Sequence, residues 1–344
     1  MKQKTVRLGR TGIISGKNAF GALPIQRDDK QTAVKILRKA YDNGFTFFDT
    51  ARAYTDSEEK IGEALSGVRD GIYIATKTVS LTPGELRKDL ETSLSMLRTD
   101  HIDVYQFHNP AFCPKPGDGT GLYEEMEKAR AEGKIRFIGI TNHRLAVAKE
   151  AVESGLYDTL QFPFSYLSSK EEIDLVKTCR DRDVGFICMK ALCGGLLTNA
   201  AAAYAFLDTI DNALPIWGIQ RESELDEFIS FIKDAPEMTP EISELIEKDR
   251  ADLTGEFCRA CGYCLSSCPQ KISISQCARM IQLIRRSPSA SHLSEESQKM
   301  MMKAKTCIEC RACTKKCPYS LDIPSLLKKN VEDYENILSG KIKV

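Results

Sequence analysis

Four polar side chains near the ends of apolar runs could together deliver a proton to an oxygen atom. Asp49, Lys77 and His108 each end or closely follow such a run, and Tyr54 lies in the loop after Asp49. Each alone is more often solvated than catalytic, but a lysine ammonium beside a phenol lowers the pKa of that phenol. If the four meet, Tyr54 acts as a general acid, Asp49 orients Lys77, and His108 donates a second hydrogen bond. The chemistry suited to this set is carbonyl reduction by hydride transfer.

Eight of the thirteen cysteines occur in two runs of identical spacing. "CRACGYCLSSCP" begins at Cys258 and "CIECRACTKKCP" at Cys307, and both read C-x2-C-x2-C-x3-C-P. Thiolates are soft ligands suited to iron–sulfur clusters or zinc. Structural zinc takes two C-x2-C pairs or mixtures of Cys and His, which leaves the third cysteine of each run without a use. The spacing favours iron–sulfur ligation, with zinc as the alternative.

The two runs resemble those of bacterial ferredoxins with two [4Fe–4S] clusters, in which the fourth cysteine of each run ligates the cluster of the other run. The resemblance implies two ligand sets. The first set is Cys258, Cys261, Cys264 and Cys317, and the second is Cys307, Cys310, Cys313 and Cys268. Cys277 has no partner at such a spacing and is predicted to be a buried apolar residue.

Strand-like and helix-like segments alternate from residue 19 to 218. Amphipathic stretches separate eight short apolar runs, and one begins with Thr82 as N-cap, Pro83 next and Glu85 three residues after the cap. This order predicts parallel strands joined by helical crossovers. Eight such units favour an α/β fold of the (β/α)8, or TIM barrel, type over an open doubly wound sheet. The runs are 19–23, 45–50, 72–77, 102–108, 135–141, 159–164, 185–190 and 214–218.

The segments on either side of these units predict two further features. "TVRLGRTGIIS" alternates around a Gly-containing turn and is interpreted as a hairpin that closes the bottom of the barrel. Beyond residue 219 the segments are helix-like. We place the boundary after residue 235, so that 1–235 form the barrel and 236–344 form a small, mainly helical, ferredoxin-like domain. In barrel enzymes the chemistry lies at the C-terminal ends of the strands.

Several motifs in the first part resemble the aldo-keto reductase family. "FFDTARAYTDSEEKIGEAL" is similar to the family signature, in which D-T-A-x-x-Y precedes S-E-x-x-I/L-G, and "RLGRTGIIS", "QFHNP", "KIRFIGITNH" and "QFPFS" agree in order and spacing. The resemblance covers roughly residues 4 to 230. It implies the catalytic tetrad Asp49, Tyr54, Lys77 and His108, a small carbonyl or alcohol substrate, and a nicotinamide cofactor over the barrel mouth. No G-x-G-x-x-G fingerprint occurs at a strand-to-helix turn, so the cofactor follows from the resemblance alone.

The resemblance also implies where the cofactor, NADP(H) or NAD(H), makes contact. The expected positions are Thr141, Asn142, Gln161, Ser165, Lys190, Gly218 and Gln220. The last loop, "IWGIQRESELDEF", lacks the Lys-Ser pair that many members use for the 2′-phosphate, and Phe228 stands where Asn is usual near the adenine. Arg221 is a candidate replacement. The choice between NADP(H) and NAD(H) stays open.

The substrate pocket is predicted to be partly apolar. Its candidate loops carry "NPAFCPKPGDGTG" and the apolar "PIWG". Trp217 would then lie near the substrate. A position in the core is the alternative for this residue.

Composition excludes several classes of function. Lys+Arg and Asp+Glu both total 48 in 344 residues, which argues against nucleic acid as the main partner. Apolar and charged contents of 42% and 28% are ordinary for a globular protein. The chain has no long apolar stretch for a membrane, and "MKQKTVRLGRTG" lacks the core of a signal peptide. We therefore expect a cytoplasmic protein with reduced or metal-bound cysteines.

Three interpretations of the whole chain remain. The first is a carbonyl or alcohol oxidoreductase whose clusters relay electrons to a redox protein partner. It faces a mismatch, because nicotinamide moves two electrons as a hydride, a [4Fe–4S] cluster moves one, and no flavin motif is evident. The second is a nicotinamide-binding regulatory or electron-transfer subunit. The third is an aldo-keto reductase whose clusters are structural.

Overall fold

The computed structural model describes residues 4–195, 197–253, 257–259, 262, 264–286, 289–317, 319 and 321–342. The chain forms two compact units. The first is Met1–Ala191 with Ala201–Met238, and the second is Leu192–Ala200 with Thr239–Val344. The sequence suggested a single boundary after residue 235, whereas the second unit also takes in Leu192–Ala200. The order of predicted strands and helices does not show that a loop between two barrel elements belongs to another compact unit. Within the described part, no helix has the length and apolar character required to cross a bilayer.

An antiparallel hairpin of β1 (Thr5–Arg7) and β2 (Ile14–Gly16) precedes the barrel. Leu8 in its turn is fully buried, in a core cluster that includes side chains from the barrel strands. The Arg10 guanidinium donates to the backbone carbonyl of Asp183, just ahead of a strand that begins at residue 185. The hairpin therefore lies at the N-terminal ends of the strands, as predicted.

Eight parallel strands close into a barrel. They are β3 (Ala19–Gly21), β4 (Phe47–Asp49), β5 (Tyr73–Thr78), β6 (Ile102–His108), β7 (Ile135–Thr141), β8 (Thr159–Pro163), β9 (Gly185–Met189) and β10 (Ala213–Gly218). Each strand pairs with its neighbour in sequence, and β10 pairs with β3, so the sheet has no free edge. Every strand overlaps one of the eight predicted runs, which confirms the (β/α)8 prediction.

A helix follows each of these strands. The helices are α1 (Lys30–Asp42), α2 (Ser57–Leu65), α3 (Pro83–Leu97), α4 (Leu122–Ala131), α5 (Leu145–Ser154), α6 (Lys170–Asp181), α7 (Ala200–Asp208) and α8 (Glu222–Lys233), with short 3-10 helices at Pro24–Arg27 and Ser66–Gly71. The Thr82 side chain accepts the backbone N–H of Glu85, which confirms the predicted start of α3.

In the second unit, the regular elements of the described residues after 238 are all helices. It contains α9 (Pro240–Leu253), α10 (Ile274–Cys277), α11 (Met280–Arg286), α12 (Glu295–Lys303), α13 (Ala312–Lys316) and α14 (Ile323–Leu338), with 3-10 helices at Leu265–Ser267, Ser289–Leu293 and Ala304–Thr306. Its core forms around the fully buried side chains of Cys277, Met301 and Tyr334. The predicted burial of Cys277 is confirmed.

Candidate active site and candidate cluster sites

A buried ion pair occupies the ends of two adjacent barrel strands. Asp49 ends β4 and Lys77 lies near the end of β5. The Lys77 ammonium donates to both carboxylate oxygens of Asp49, at 2.8 and 2.7 Å, and to the carbonyl of Thr50 at 2.5 Å. These contacts use all three N–H groups of the lysine. Burial raises the pKa of Asp49 and lowers that of Lys77, and the attraction between the two charges opposes both shifts.

The other two members of the predicted tetrad lie beside this pair. The ammonium of Lys77 is 5.3 Å from the ring centroid of Tyr54. The rings of Tyr54 and His108 meet edge to face, with centroids 5.7 Å apart. The structure thus brings together the four side chains that the sequence selected.

The pKa of Tyr54 is shifted in the direction opposite to the one expected from Lys77 alone. Burial, and then the negative charge of Asp49, raise the pKa of this phenol above its ordinary value. The expected lowering is absent because the Lys77 N–H groups bond to Asp49 and Thr50, and the Asp49 charge offsets that of the ammonium. Tyr54 therefore remains protonated at neutral pH and can donate a proton.

His108 is a neutral imidazole in this site. Burial, and then the positive charge of Lys77, lower its pKa to about 3. Its buried Nδ1 atom has no hydrogen-bond partner among the described residues. Buried polar atoms are nearly always hydrogen-bonded, so this nitrogen fits a site that receives a polar group from a bound molecule.

A pair of glutamines underlies the tetrad. The side-chain amide of Gln161, at β8, donates to Asp49 at 3.4 Å and accepts from Gln106, at β6, at 2.9 Å. Both glutamines are buried. The sequence pointed to Gln161 as a cofactor contact but did not single out Gln106. The signal for Gln106 was an amide within an otherwise apolar run, "IDVYQFH".

A second group that the sequence analysis did not select fixes the loop carrying Tyr54. Glu58, at the start of α2, is buried and forms an ion pair with Arg52 in that loop. Its carboxylate also accepts the hydroxyl of Thr76 at 2.6 Å, which ties the loop to β5. A charged residue on the inner face of an amphipathic helix was the available signal.

Four of the expected cofactor residues lie at or just after the ends of β7, β8 and β9. Thr141 and Asn142 are buried, and the Asn142 side chain donates to the carbonyl of Pro110 and accepts the N–H of Arg144, both at 2.8 Å. Ser165 accepts the backbone N–H of Leu167 at 3.1 Å. The fourth residue, Lys190, follows β9 immediately. It is half-buried and its φ is 57°. All four are at the rim where the tetrad lies.

The loop after β10 has its donors occupied by an internal carboxylate. Gly218 ends β10, and one oxygen of Glu224 accepts the backbone N–H groups of Gln220 and Arg221, both at 2.9 Å. The other oxygen accepts the Arg221 guanidinium at 3.0 and 2.6 Å. Arg221, the candidate partner of a 2′-phosphate, is thus paired within the chain. The Gln220 side chain donates to Asp28 at 3.2 Å.

Trp217 is a core residue. Its side chain is 1% exposed, its indole N–H donates to Asn18 at 2.6 Å, and its ring stacks on Phe228 with centroids 4.4 Å apart. Of the two sequence interpretations, the core position is the correct one. Phe228, which replaces the usual Asn, serves this apolar stack, because an aromatic neighbour buries the indole face.

In the second unit, four cysteines line one cavity. Cys268 comes from the first run and Cys307, Cys310 and Cys313 come from the second, which is the predicted second ligand set. Its other lining residues are mostly apolar, with Leu327 among them. Four thiols around one cavity are the donor set of a [4Fe–4S] cluster, so the residues present fit that group.

The structure describes three of the four cysteines in the first predicted ligand set. Cys261 lies outside the described residues, whereas Cys258 and Cys264 are buried and Cys317 packs against the same core. The guanidinium of Arg259 lies 3.9 Å from the ring centroid of Tyr319, which joins the first run to the segment after the second. Among the described residues, no three Cys, His, Asp or Glu side chains converge as they would on one metal ion. In a [4Fe–4S] cluster, by contrast, each thiolate binds its own iron.

Comparison with known proteins identifies both parts of the chain. The sequence model of the aldo/keto reductase family matches residues 12–229, and that of a 4Fe-4S dicluster domain matches residues 257–322. Aldo-keto reductase YhdN of Bacillus subtilis is 30% identical over 208 residues, covering 56% of this chain and 61% of the relative. The NADH-specific methylglyoxal reductase of Escherichia coli is 27% identical over 229 residues, covering 57% and 69%. The chain thus spans about two thirds of the length of these relatives.

A solved structure agrees with the fold of the first unit. The aldo-keto reductase from Klebsiella pneumoniae in complex with NADPH is 24% identical, with a TM-score of 0.59, covering 73% of this chain and 95% of that one. Since the family model spans residues 12–229 of a 344-residue chain, this protein belongs to the aldo/keto reductase family, with a 4Fe-4S dicluster domain in its C-terminal region.

Proposed function

We propose that this chain is an NAD(P)H-dependent oxidoreductase that interconverts a small carbonyl compound and the corresponding alcohol. The observation that carries the proposal is the convergence of Asp49, Tyr54, Lys77 and His108 at the C-terminal ends of the barrel strands. A bound nicotinamide supplies the hydride. The side chains of the tetrad supply the proton and the orientation of the substrate oxygen.

Each tetrad residue has a separate task in this proposal. The phenol of Tyr54 donates its proton to the carbonyl oxygen as negative charge develops there. Lys77 keeps a positive charge 5.3 Å from the phenol ring, which stabilises the phenolate that remains. Asp49 holds the lysine in place, and the neutral imidazole of His108 donates a hydrogen bond that orients the substrate. In alcohol oxidation the phenolate of Tyr54 accepts the proton instead.

We further propose that the rim residues hold the dinucleotide. They are Thr141, Asn142, Gln161, Ser165, Lys190, Gly218 and Gln220. Their positions along the ends of β7 to β10, next to the tetrad, support this assignment. The Nδ1 atom of His108, which has no hydrogen-bond partner in the described part of the chain, supports a ligand beside them.

The last loop supports a preference for NAD(H). Burial raises the pKa of Glu224, but the backbone N–H groups of Arg221 and Gln220 and the Arg221 guanidinium outweigh it and hold this pKa below its ordinary value. The carboxylate is therefore ionised and occupies the donors that a 2′-phosphate would need. A second anion beside it would be repelled. The Escherichia coli relative is named as NADH-specific, whereas the Klebsiella pneumoniae structure contains NADPH.

We assign two [4Fe–4S] clusters to the second unit, with the crossed ligand sets given above. The support is the cavity at which Cys268 of the first run joins Cys307, Cys310 and Cys313 of the second. When bound, such clusters transfer single electrons. The chain's thiolates hold them within a small helical core.

Replacement of Tyr54 by Phe tests the proposed reaction. Methylglyoxal serves as the carbonyl probe, with NADH and NADPH as alternative hydride donors. We expect Tyr54→Phe to lower kcat by roughly 10²- to 10⁴-fold, because it removes the proton donor. The Kd for NADH, measured by fluorescence titration, should stay unchanged, because the ring remains.

Tyr123→Phe is the matched control. Tyr123 is a buried tyrosine that donates to the carbonyl of Leu156, so its loss should leave kcat unchanged. Full activity in the Tyr54→Phe protein would exclude the proposed reaction.

The wild-type pH profile of kcat/KM should show no inflection near pH 6.5, because His108 stays neutral above a pKa of about 3 and Tyr54 stays protonated.

A further inference from the structure

An exposed patch lies around the cysteine-lined cavity of the second unit. Ile308 lines the cavity, yet 60% of its surface is exposed. Cys310, another lining residue, is exposed as well. Leu265, which is 42% exposed, begins the 3-10 helix Leu265–Ser267, which packs against α13 and whose last residue lines the cavity. Two large apolar side chains and a cysteine are thus open to solvent where the second cluster is assigned.

Basic side chains accompany these residues. Arg311 lines the cavity and is exposed, and Lys315 and Lys316 are exposed on α13. The N–H of Lys315 donates to the carbonyl of Arg311 at 3.1 Å, so Arg311 stands at the start of the helix that carries the two lysines. Lys271 is exposed next to the cavity-lining segment 267–270. We call the set of Leu265, Lys271, Ile308, Cys310, Arg311, Lys315 and Lys316 the Ile308 patch.

The charge of the patch departs from that of the chain. The whole chain has equal numbers of acidic and basic residues. The patch carries four basic residues; among the described residues, Glu309 adjoins it in sequence and Asp322 lies 3.5 Å from Arg311. A small apolar centre with a charged rim is the arrangement found in transient protein interfaces. The basic rim selects a partner of negative charge.

We propose that the Ile308 patch is the docking surface for an acidic one-electron carrier protein of the ferredoxin or flavodoxin class. The proposal rests on the second cluster assigned under the proposed function. In the step, the reduced carrier loses one electron and is oxidised, and the cluster held by Cys268, Cys307, Cys310 and Cys313 gains it and is reduced. No bond is made or broken. Nucleic acid is disfavoured as occupant, because exposed apolar residues flank the cavity and the basic excess is small.

A carrier that gives one electron at a time matches a [4Fe–4S] cluster, whereas a hydride donor does not. Exposed Cys310 and Ile308 would let such a carrier approach the cluster closely. Between the carrier and the cluster, electrons then pass one at a time.

Stopped-flow reduction of the cluster-loaded, full-length protein tests the docking surface. The donors are a prereduced acidic plant-type [2Fe–2S] ferredoxin and, separately, the methyl viologen radical. The readout is bleaching of the cluster absorbance, with EPR of freeze-quenched samples.

For the wild type we expect a second-order rate with ferredoxin that falls steeply as ionic strength rises. The variant K315E/K316E should lose at least about tenfold of this rate at low salt and most of its salt dependence. Methyl viologen should reduce the variant no more slowly than the wild type.

The matched control is K128E/K149E, which changes the net charge equally at exposed lysines on α4 and α5. It should keep the wild-type rate with ferredoxin. Equal rates for K315E/K316E and wild type, or an equal loss in the control, would overturn the docking surface alone. Failure of methyl viologen to bleach any cluster in the wild type would overturn the cluster assignment, and the docking surface with it.

Discussion

At the scale of single residues, the site is organised by where each charge is neutralised. Lys77 directs its three N–H groups to Asp49 and Thr50, so it acts on Tyr54 only through space, at 5.3 Å from the ring. In the loop after β10, the Glu224 carboxylate accepts the backbone N–H groups of Gln220 and Arg221 and the guanidinium of Arg221. In both places the hydrogen-bond donors are occupied by partners within the chain and are not open to a ligand.

The variant Glu224→Ala tests the proposed preference for NAD(H). It frees two backbone N–H groups and the Arg221 guanidinium for a 2′-phosphate. Hydrogen bonds to a charged group contribute about 1.5–3 kcal/mol each, so we expect NADPH to bind at least about tenfold more tightly relative to NADH. Calorimetric Kd values for the two dinucleotides give the ratio.

Glu222→Ala provides the control at the same helix start. It removes the same charge, but Glu222 pairs with Lys35 and Lys39 instead of the loop donors. Its NADPH-to-NADH ratio should stay at the wild-type value. An unchanged ratio in Glu224→Ala would show that this carboxylate does not control the choice of dinucleotide.

At the scale of elements, the barrel depends on close contacts at both ends of its strands. At the C-terminal ends, Arg52, Glu58 and Thr76 tie the loop that carries Tyr54 to α2 and β5. At the N-terminal ends, Gly9 in the β1–β2 turn lies directly against backbone. A Cβ atom at this position would lie 2.3 Å from the nitrogen of Gly185, and its φ is 51°.

Gly9→Ala should therefore destabilise the barrel strongly. Strain at positive φ and the overlap with backbone atoms together cost about 2–4 kcal/mol. Gly12→Ala, in the same turn, adds strain at a φ of 68° but meets no atom within 4 Å, so it should cost only about 1 kcal/mol. Urea unfolding followed by the fluorescence of Trp217, the chain's one tryptophan, measures both. Equal losses for the two variants would contradict the tight contact at Gly9.

At the scale of the whole molecule, each compact unit has a core of its own. The barrel core joins the hairpin to the inner face of the strands. The core of the second unit includes Cys258, Cys264 and Cys313, with Cys268, Cys307 and Cys317 packed against it. These six cysteines are thus part of the packing that holds the helices of the second unit together.

Removal of iron should unfold the second unit and spare the barrel. A protein with two clusters carries about eight iron ions per chain, which anaerobic purification and iron analysis would measure. After chelation we expect hydrogen exchange to lose protection over residues 257–342, because a small core loses its cross-links. Protection of β3 to β10 and the Trp217 fluorescence should not change. Retained protection over 257–342 would show that the clusters are not needed for folding.

The sequence by itself determined the kinds of element and singled out the four side chains of the proposed tetrad. Periodicity predicted eight strands and their helices because burial of alternating faces is a local property of the chain. The ends of consecutive parallel strands must meet, so Asp49, Lys77 and His108 could be grouped before any coordinates. The resemblance of the cysteine runs to those of two-cluster ferredoxins implied that Cys268 would join the second set, and Cys268 lines the same cavity as the other three.

Only the tertiary structure decided what surrounds these residues. The pKa of Tyr54 is raised and not lowered, because Asp49 and burial act on it from positions remote in sequence. Trp217 packs in the core because Phe228 stacks on its ring there and Asn18 accepts its indole N–H. The supporting amide of Gln106 and the carboxylates of Glu58 and Glu224 acquire their roles from partners on other elements or loops. Local pattern fixes which side chains face inward, whereas electrostatic environment depends on distances between elements, which only the closed barrel sets.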